Sequence, residues 1–575
     1  MKFDSEKVFM RKLSGPVLLM IFAPAILLSG PPMEPRAPAG IIERQIQEEY
    51  DEKPLMPDKE IPLLEVDIPK DHLDLPDGQT VAISQVVFSG NTVIGTQILE
   101  EIAIGDCNRD LCMKDISSLC MAIQNEYRRR GYFLARAFPP PQEIHNGVLL
   151  IQVIEGSLGQ LTVEGNTHYS TAFIESYFSD LVGAPLNYNL FLKRMLLLNE
   201  NPELKASAVF KKGSRTGTAD LIIRVEDHRP ISFYVDYNNY GSSYTTRSRV
   251  GAKLNVGNIP IGASRFSLTQ VQGLPFDELL FTQATYRIPL VNRTGAALEG
   301  AYLYSRFHVP PFSDLDVKGG TNIGTIRYIQ PVGRTRALHA DIYTSFDFKD
   351  IRNFLLDTAA SIDILRELGA GFDLDYIDPW GRTFFESYIY FGIPDIFGGS
   401  PSTNPMSSHP GAGARFIKGT GYIKRLQKIV SDYYLMVSLT GQWSTRRLPI
   451  AEEIYIGGVD TVRGFFPAVA LGDQGLYVNC ELRIPPPFFA DTHVFKFKKT
   501  WREILQIVAF IDCGSVFFMQ DSGTVQTTLT GVGLGGRLFG FWDFNASIDV
   551  GFPVQSDISP TSTVTYARVS WDHKF

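Results

Sequence analysis

Five cysteines in 575 residues are too few to staple the fold, so its stability has to come from buried surface. Neither sign of charge dominates. Lysine and arginine number 54 against 62 aspartates and glutamates, a net charge of -8 that gives no electrostatic reason to expect nucleic acid as a partner. Beyond the N-terminus no apolar run reaches the ~18 residues that a spanning helix needs. The nine histidines form no His-Glu-x-x-His pair, and neither a nucleophile elbow nor a P-loop occurs. Gly531 to Gly536 satisfies G-x-G-x-x-G, but glycines at 531, 533 and 535 follow strand spacing and no helical pattern follows. Enzyme activity, a cofactor and a metal therefore have no residue-level support.

What is present is a large aromatic and glycine content, with 24 tyrosines, 39 phenylalanines and 50 glycines at a mean hydropathy of -0.02. That mixture suits many strands and turns, and the length allows two to four domains. At the start, Lys2, Lys7, Arg11 and Lys12 precede the apolar stretch Val17 to Leu28, which predicts a signal peptide over residues 1–30 and export from the cytoplasm. Residues 31–80 hold nine prolines and read as an extended linker. Within it, a short helix inside 41–52 would place Ile42, Ile46 and Tyr50 on one stripe, and so short a helix needs a surface to pack on.

An internal repeat follows. Gly90-Asn91-Thr92 recurs as Gly165-Asn166-Thr167, an offset of 165 − 90 = 75 residues, each after an alternating run (Val81 to Phe88, Leu158 to Val163). Helical patterns come next: Ile98 to Ile104 and Ile116 to Arg130 in the first copy, Ala172 to Leu181 and Leu190 to Asn199 in the second. Two strands close each unit, Phe133 to Phe138 and Val148 to Val153, then Ala206 to Lys211 and Ala219 to Val225. The order β-α-α-β-β predicts two small α+β binding modules, 81–157 and 158–230. Cys107 and Cys112 could form a disulfide in an oxidising compartment; Cys120 leaves the pairing open, and burial in a helix is the other reading.

These features resemble the POTRA domain, the periplasmic module of outer-membrane protein translocators. Tyr127-Arg128-Arg129-Arg130-Gly131-Tyr132, Pro139-Pro140-Pro141-Gln142 and the leucine-rich Met195 to Pro202 are similar to the POTRA pair of two-partner secretion transporters, the haemolysin activators.

From 231 to 575 the texture is period-2. Ile231, Phe233, Val235 and Tyr237 alternate with Ser232, Tyr234, Asp236 and Asn238. Leu476, Val478, Cys480 and Leu482 alternate with Tyr477, Asn479, Glu481 and Arg483; Phe544 to Phe552 repeats the pattern with Asp549 on its polar face. A soluble sandwich and a transmembrane barrel both give such alternation. The export signal, the aromatics and a last strand running to Phe575 favour an antiparallel barrel, and dividing 345 residues by 16 strands leaves ~21 for each strand and its connection. Short inner turns and longer outer loops are expected, with Cys480 and Cys513 facing lipid.

Gly457 to Phe465 contains Val462-Arg463-Gly464-Phe465, which resembles the motif on the loop that folds back into the barrel in the outer-membrane assembly and secretion superfamily. Phe510-Ile511-Asp512-Cys513-Gly514 resembles its partner motif on a barrel strand, with Phe510, Asp512 and Gly514 on one wall. The resemblance implies that Arg463 reaches Asp512 across the lumen as a conformational latch. It further implies a transporter that captures an unfolded exoprotein with its modules and conducts it outward through the barrel, without nucleotide or other cofactor. Implied partners are the secreted exoprotein, outer-membrane lipid and the barrel-assembly machinery, for which Trp571 and Phe575 are the C-terminal signal. The 41–52 helix would be the lumen plug, a linker helix being the alternative. A barrel-assembly insertase is the second reading, although such proteins usually carry more modules.

Overall fold

A computed structural model describes residues 44–46, 64–67, 80–242, 245–309, 316–430, 432–494, 499–541, 543–558 and 562–574. The stretch expected to be a signal peptide, Ile42, Tyr50 and Phe575 lie outside them.

The repeat is real in three dimensions. We label the strands before the barrel β1 (Leu64–Asp67), β2 (Thr80–Ile83), β3 (Gln85–Ser89), β4 (Arg109–Cys112), β5 (Arg136–Phe138), β6 (Val148–Ile154), β7 (Ser157–Glu164), β8 (Leu204–Lys212) and β9 (Thr218–Asp227). In the first module β3 runs parallel to β6, and β5 antiparallel on its other side. In the second, β7 and β8 flank β9 in the same senses. Helices Thr96–Ala103 and Met113–Arg129 cover one sheet, and Tyr188–Leu198 the other, each burying an apolar stripe.

The Gly-Asn-Thr repeat has one physical cause in both copies. Gly90 and Gly165 sit at φ +82° and +89°, and an added Cβ would lie 2.3 Å from the Val153 carbonyl oxygen or 2.4 Å from that of Val225. The asparagine side chains then donate to the carbonyls of Ile94 and Tyr169, at 3.0 and 2.8 Å. A carboxylate from the end of each module accepts the turn amides: Glu155 those of Thr92 and Val93, Asp227 those of Thr167, His168 and Tyr169.

Several expectations are corrected. The run Val81 to Phe88 is two strands, because the Ser84 and Gln85 amides both turn to the Gly147 carbonyl, and β2 pairs with the unanticipated β4. Of the run Phe133 to Phe138 only Arg136–Phe138 is a strand. The helix at Ala172 to Leu181 breaks into Thr171–Glu175 and a 3-10 turn Ser179–Leu181. Cys107 and Cys112 are free: Cys107 Sγ donates to the Ala103 carbonyl, while Cys112 sits at the capping box that starts Met113–Arg129, so each thiol serves its own helix end.

Sixteen antiparallel strands, from Ile231–Asn238 to Val564–Lys574, form a closed barrel. The first and last pair directly, with Val235 opposite Trp571, which removes the exposed edges a sandwich would keep. Outward positions such as Ile326, Ile511 and Leu534 are exposed and apolar, whereas Asp236, Asn238, Glu481 and Asp512 are buried inside, the reverse of a dry-cored sandwich. Connection lengths depart from expectation at three places. At the module end, residues 485–504 form a long connection with the capped helix Trp501–Ile504, while Leu356-Asp357 and Asp521-Ser522 at the far end are minimal turns.

The second module sits on the barrel mouth. Asn258 donates to the His168 carbonyl (2.8 Å), Asn292 to Ser176 Oγ (2.9 Å), and Arg334 to Glu200 (2.7 Å).

Asp227 supplies a test of the module's architecture. Burial raises its pKa, but the amides of Tyr169, His168 and Thr167 outweigh that and hold it below the usual carboxylate range. A carboxyl with a lowered folded pKa stabilises above its unfolded value, and the contribution disappears as pH falls through the folded pKa. Asp227→Asn should therefore cost the second module ~1–3 kcal/mol at about pH 7, with the gap to wild type closing as the pH falls below the ordinary aspartate value of about 3.9 and through the lowered folded one. Urea titrations of the full chain, read by hydrogen exchange over residues 158–227 above and below that range, would measure it; an equal gap at both would refute the assignment.

Candidate functional site in the barrel lumen

The connection between strands Tyr433–Ser444 and Gln474–Ile484 folds back into the barrel. Its stem is a hairpin, Ile454–Ile456 with Ala470–Gly472. Ile454, Ile456, Val462, Phe465 and Ala470 pack with Val516 and Leu529 of the wall, giving the loop a small apolar core inside the lumen. Gly457 and Gly458, at φ +99° and +113°, turn the chain at the top of the stem.

Arg463 at the loop tip is almost fully buried. Its Nε donates to Asp512 Oδ2 (2.6 Å) and its Nη2 to Oδ1 (2.8 Å), the planar fork matching the carboxylate. The backbone N–H of Arg463 also donates to Asp512 Oδ2 (3.1 Å), and Nη1 donates to Glu481. The guanidinium carbon stands 3.6 Å from the centre of the Phe510 ring, so both motif residues on that strand contact the same cation. Asp549 lies 3.9 Å from Nη1 and takes a forked contact from Arg537 (2.7 and 2.8 Å); Arg483 donates to the second oxygen of Glu481 (2.9 Å). Three arginines thus face three carboxylates, a balanced set in which Arg463 and the carboxylates are buried and Arg483 and Arg537 half-buried. Tyr566 on the last strand donates to the Phe465 carbonyl and accepts the Gly464 N–H.

Glycines make the close approach possible. Gly464 is at φ +101°, and a Cβ there would come within 3.0 Å of Phe552. A Cβ on Gly531 would lie 1.8 Å from the Arg463 carbonyl oxygen, and one on Gly533 would lie 2.3 Å from the Phe510 ring. The glycine run that does not form a dinucleotide loop is the smooth strand on which the loop tip lies. Gly514 adjoins Val462 and Ile456 of the loop.

Sequence reasoning found Arg463, Gly464, Phe465, Phe510, Asp512 and Gly514, and the structure brings them together. It missed Glu481, Asp549, Arg537, Arg483 and Tyr566 as partners. Glu481 and Asp549 already stood on polar strand faces; what was lacking was the register that sets Asn479 opposite Asp512 and Gly535 opposite Asp549. Also missed was a second anchor: Glu452 in the loop contacts Lys349 (2.6 Å) and Lys418, and Lys349 in turn meets Glu367 (3.1 Å).

The short helical segment 44–46 lies against this loop. Ile46 is fully buried among Val271, Phe281, Leu303, Phe307, Ile351 and Ala451. Arg44 donates to the Glu453 carbonyl and stands over the Tyr455 ring at 5.3 Å. Nearby, ligand atoms of His409, Glu453 and Asp473 lie within 4.8 Å of one another, a spacing compatible with a metal. Both ring nitrogens of His409 nevertheless face oxygen acceptors, Nδ1 those of Glu453 (2.8 Å) and the Leu448 carbonyl (3.0 Å) and Nε2 that of the Met519 carbonyl (3.0 Å), which is the setting of a protonated imidazole donating on both sides. Trp571 faces outward, with its ring edge-on to Phe233 at 6.4 Å.

Residues 217–538 match the model of the haemolysin secretion/activation protein family ShlB/FhaC/HecB, and residues 81–156 match the POTRA domain of ShlB type. The chain belongs to that family. It is similar to the heme/hemopexin transporter protein HuxB of Haemophilus influenzae, 24% identical over 436 residues that cover 71% of this chain and 73% of that protein. It is also similar to the outer membrane transporter CdiB of Dickeya dadantii, 22% identical over 506 residues and 86% of each chain. Among solved structures, CdiB from Escherichia coli superposes with a TM-score of 0.72 at 19% identity, covering 92% of this chain and 95% of that one. BamA from Haemophilus ducreyi lacking POTRA domains 1–3 superposes at 0.50 with 12% identity, covering 86% and 100%. As in that family, the barrel lies in the outer membrane with its POTRA modules in the periplasm.

The geometry separates charge from shape in the lumen contact. Arg463→Ala leaves Asp512 and Glu481 buried and one cation short, a loss of ~3–5 kcal/mol at the contact. Gly531→Ala keeps every charge but forces the loop off the strand. Both should lower the temperature at which the barrel unfolds in a heated-gel assay and impair export, while the two modules keep wild-type hydrogen exchange. Wild-type export by both variants would contradict the latch.

Proposed function

We propose that this chain secretes an exoprotein: its two POTRA modules hold the unfolded cargo in the periplasm, and its barrel passes it to the cell surface. The reading rests on one observation above others. A closed barrel with the second of two POTRA modules on its mouth holds, inside its lumen, a loop fixed by buried ion pairs and a helical segment packed through Ile46 and tied by Arg44. The family and the transporters HuxB and CdiB support the same assignment.

In this reading Arg463 and Asp512 latch the loop in the resting state, and the segment around Ile46 acts as the plug. Withdrawal of that segment would give the barrel porin activity. Folding of the cargo outside supplies direction, so no nucleotide enters the cycle. The N-terminal signal peptide directs export, and the barrel-assembly machinery inserts the barrel among outer-membrane lipids by its last strand, with Trp571 and Phe575 as the recognition signal. The exoprotein carries an N-terminal secretion domain of haemolysin or adhesin type.

The test is deletion of the gene, followed by comparison of secreted and outer-membrane proteins. Loss of one large secreted protein, at least tenfold, with other barrels at normal levels is the expected outcome. Broad loss of outer-membrane barrels with secretion otherwise normal would instead indicate a barrel-assembly insertase.

A further inference from the structure

The outer connection 393–416, between strands Gly381–Gly392 and Ile417–Val430, carries a histidine that the Arg463 contact does not use. Ser407 Oγ and the Ser408 amide donate to Asp363 on the wall (2.7 and 3.1 Å), which fixes the turn that holds His409. Its Nδ1 faces Glu453 Oε1 at 2.8 Å, the Leu448 carbonyl at 3.0 Å and Asp473 Oδ1 at 3.6 Å. Glu453 directly precedes the stem strand Ile454–Ile456 and Asp473 directly follows Ala470–Gly472, so these carboxylates are the two feet of the lumen loop. All three side chains are at most 2% exposed. The remaining contacts hold the donors in place. Nε2 faces the Met519 carbonyl at 3.0 Å, the Phe518 ring stacks on the imidazole at 4.2 Å and 9°, and Asp473 accepts the amides of Leu448 (2.6 Å) and Met519 (2.8 Å).

A proton on Nδ1 satisfies the hydrogen bonds of this cluster but sets one imidazolium between two buried carboxylates, which leaves it one positive charge short. A divalent cation on the neutral ring balances both. The neutral ring then carries its proton on Nε2 and donates to the Met519 carbonyl, the bond that commonly orients a metal-bound imidazole. Metal bonds of about 2.1 Å in a tetrahedral site put neighbouring donors about 3.4 Å apart, so the present spacing needs adjustments of only about half an ångström. We propose that Nδ1 of His409, Oε1 of Glu453 and Oδ1 of Asp473, with the Leu448 carbonyl beside them, form a site for a divalent transition-metal ion, zinc being the best fit to one imidazole and two carboxylates. The ion takes the place of the Nδ1 proton, which leaves to solvent, and ties the outer connection to both feet of the lumen loop.

Zinc itself is the probe. Calorimetric titration of the purified full chain in detergent, without a histidine tag and with its five native cysteines replaced, should show one saturable zinc site. His409→Gln and Glu453→Gln should each weaken it at least tenfold while a heated-gel assay still reports a closed barrel. Calcium, which takes oxygen donors in preference to imidazole, should not displace zinc at equal concentration. A second measurement needs no change within the site: zinc should slow amide hydrogen exchange over 405–411 and over 448–453 together, and a chelator should reverse it. Should either variant not form the barrel, this exchange experiment decides. Absence of saturable binding, undiminished affinity in either folded variant, displacement by equal calcium, or exchange unchanged by zinc in both segments would overturn the proposal and leave His409 a protonated clamp.

Discussion

A single desolvated guanidinium organises the lumen. Arg463 is withdrawn from water into a balanced set of arginines and carboxylates, with an aromatic ring beneath it, and the loop's apolar core and the short lumen segment are arranged around that contact. Buried ion pairs are poor sources of net stability, since desolvating both partners offsets most of their attraction. They respond strongly to water, however: the attraction of two charges ~4 Å apart falls from ~4 kcal/mol near a protein surface to ~1 kcal/mol in bulk water. An apolar plug of the same size would have no such sensitivity. A contact that is firm when the lumen is filled and weak when it floods suits a channel that must open.

The wall is shaped to fit. Five consecutive strands contribute to the site, through Glu481, Asp512, Gly531, Asp549 and Tyr566, and glycines stand where the loop backbone presses closest. Glu452 repeats the design on the opposite wall through Lys349 and Lys418. Arg44 then ties the lumen segment to the carbonyl of the adjacent Glu453. The loop is therefore a bridge between two charged walls, and the lumen segment rests on the bridge.

Much of this was legible in the sequence because period 2 in a barrel separates lipid-facing from lumen-facing residues without reference to tertiary contacts. The alternation along each strand, the shared wall of Phe510, Asp512 and Gly514, and the repeated Gly-Asn-Thr turns all follow from local rules, whereas sixteen strands was a number the length accommodates rather than one it dictates. What stayed hidden depends on register or on distant partners. Glu481 and Asp549 were on the correct faces, but only strand alignment brings them to Arg463. Gly531 looked like any strand glycine until the loop lay across it. β1 was read as structureless linker, since four residues among prolines carry no pattern and are extended by what they pair with. Cys107 and Cys112 are close in sequence, yet each is engaged at its own helix end.

The charge on Asp512 holds the loop tip inside the barrel. Pulsed electron resonance between spin labels on the loop at Asp460 and on the outer wall at Ile511, in a chain with its native cysteines replaced, reads that position directly. One short, narrow distance distribution is expected for the otherwise unaltered chain and a broad or longer one when Asp512→Asn is added. Identical narrow distributions in both would contradict it.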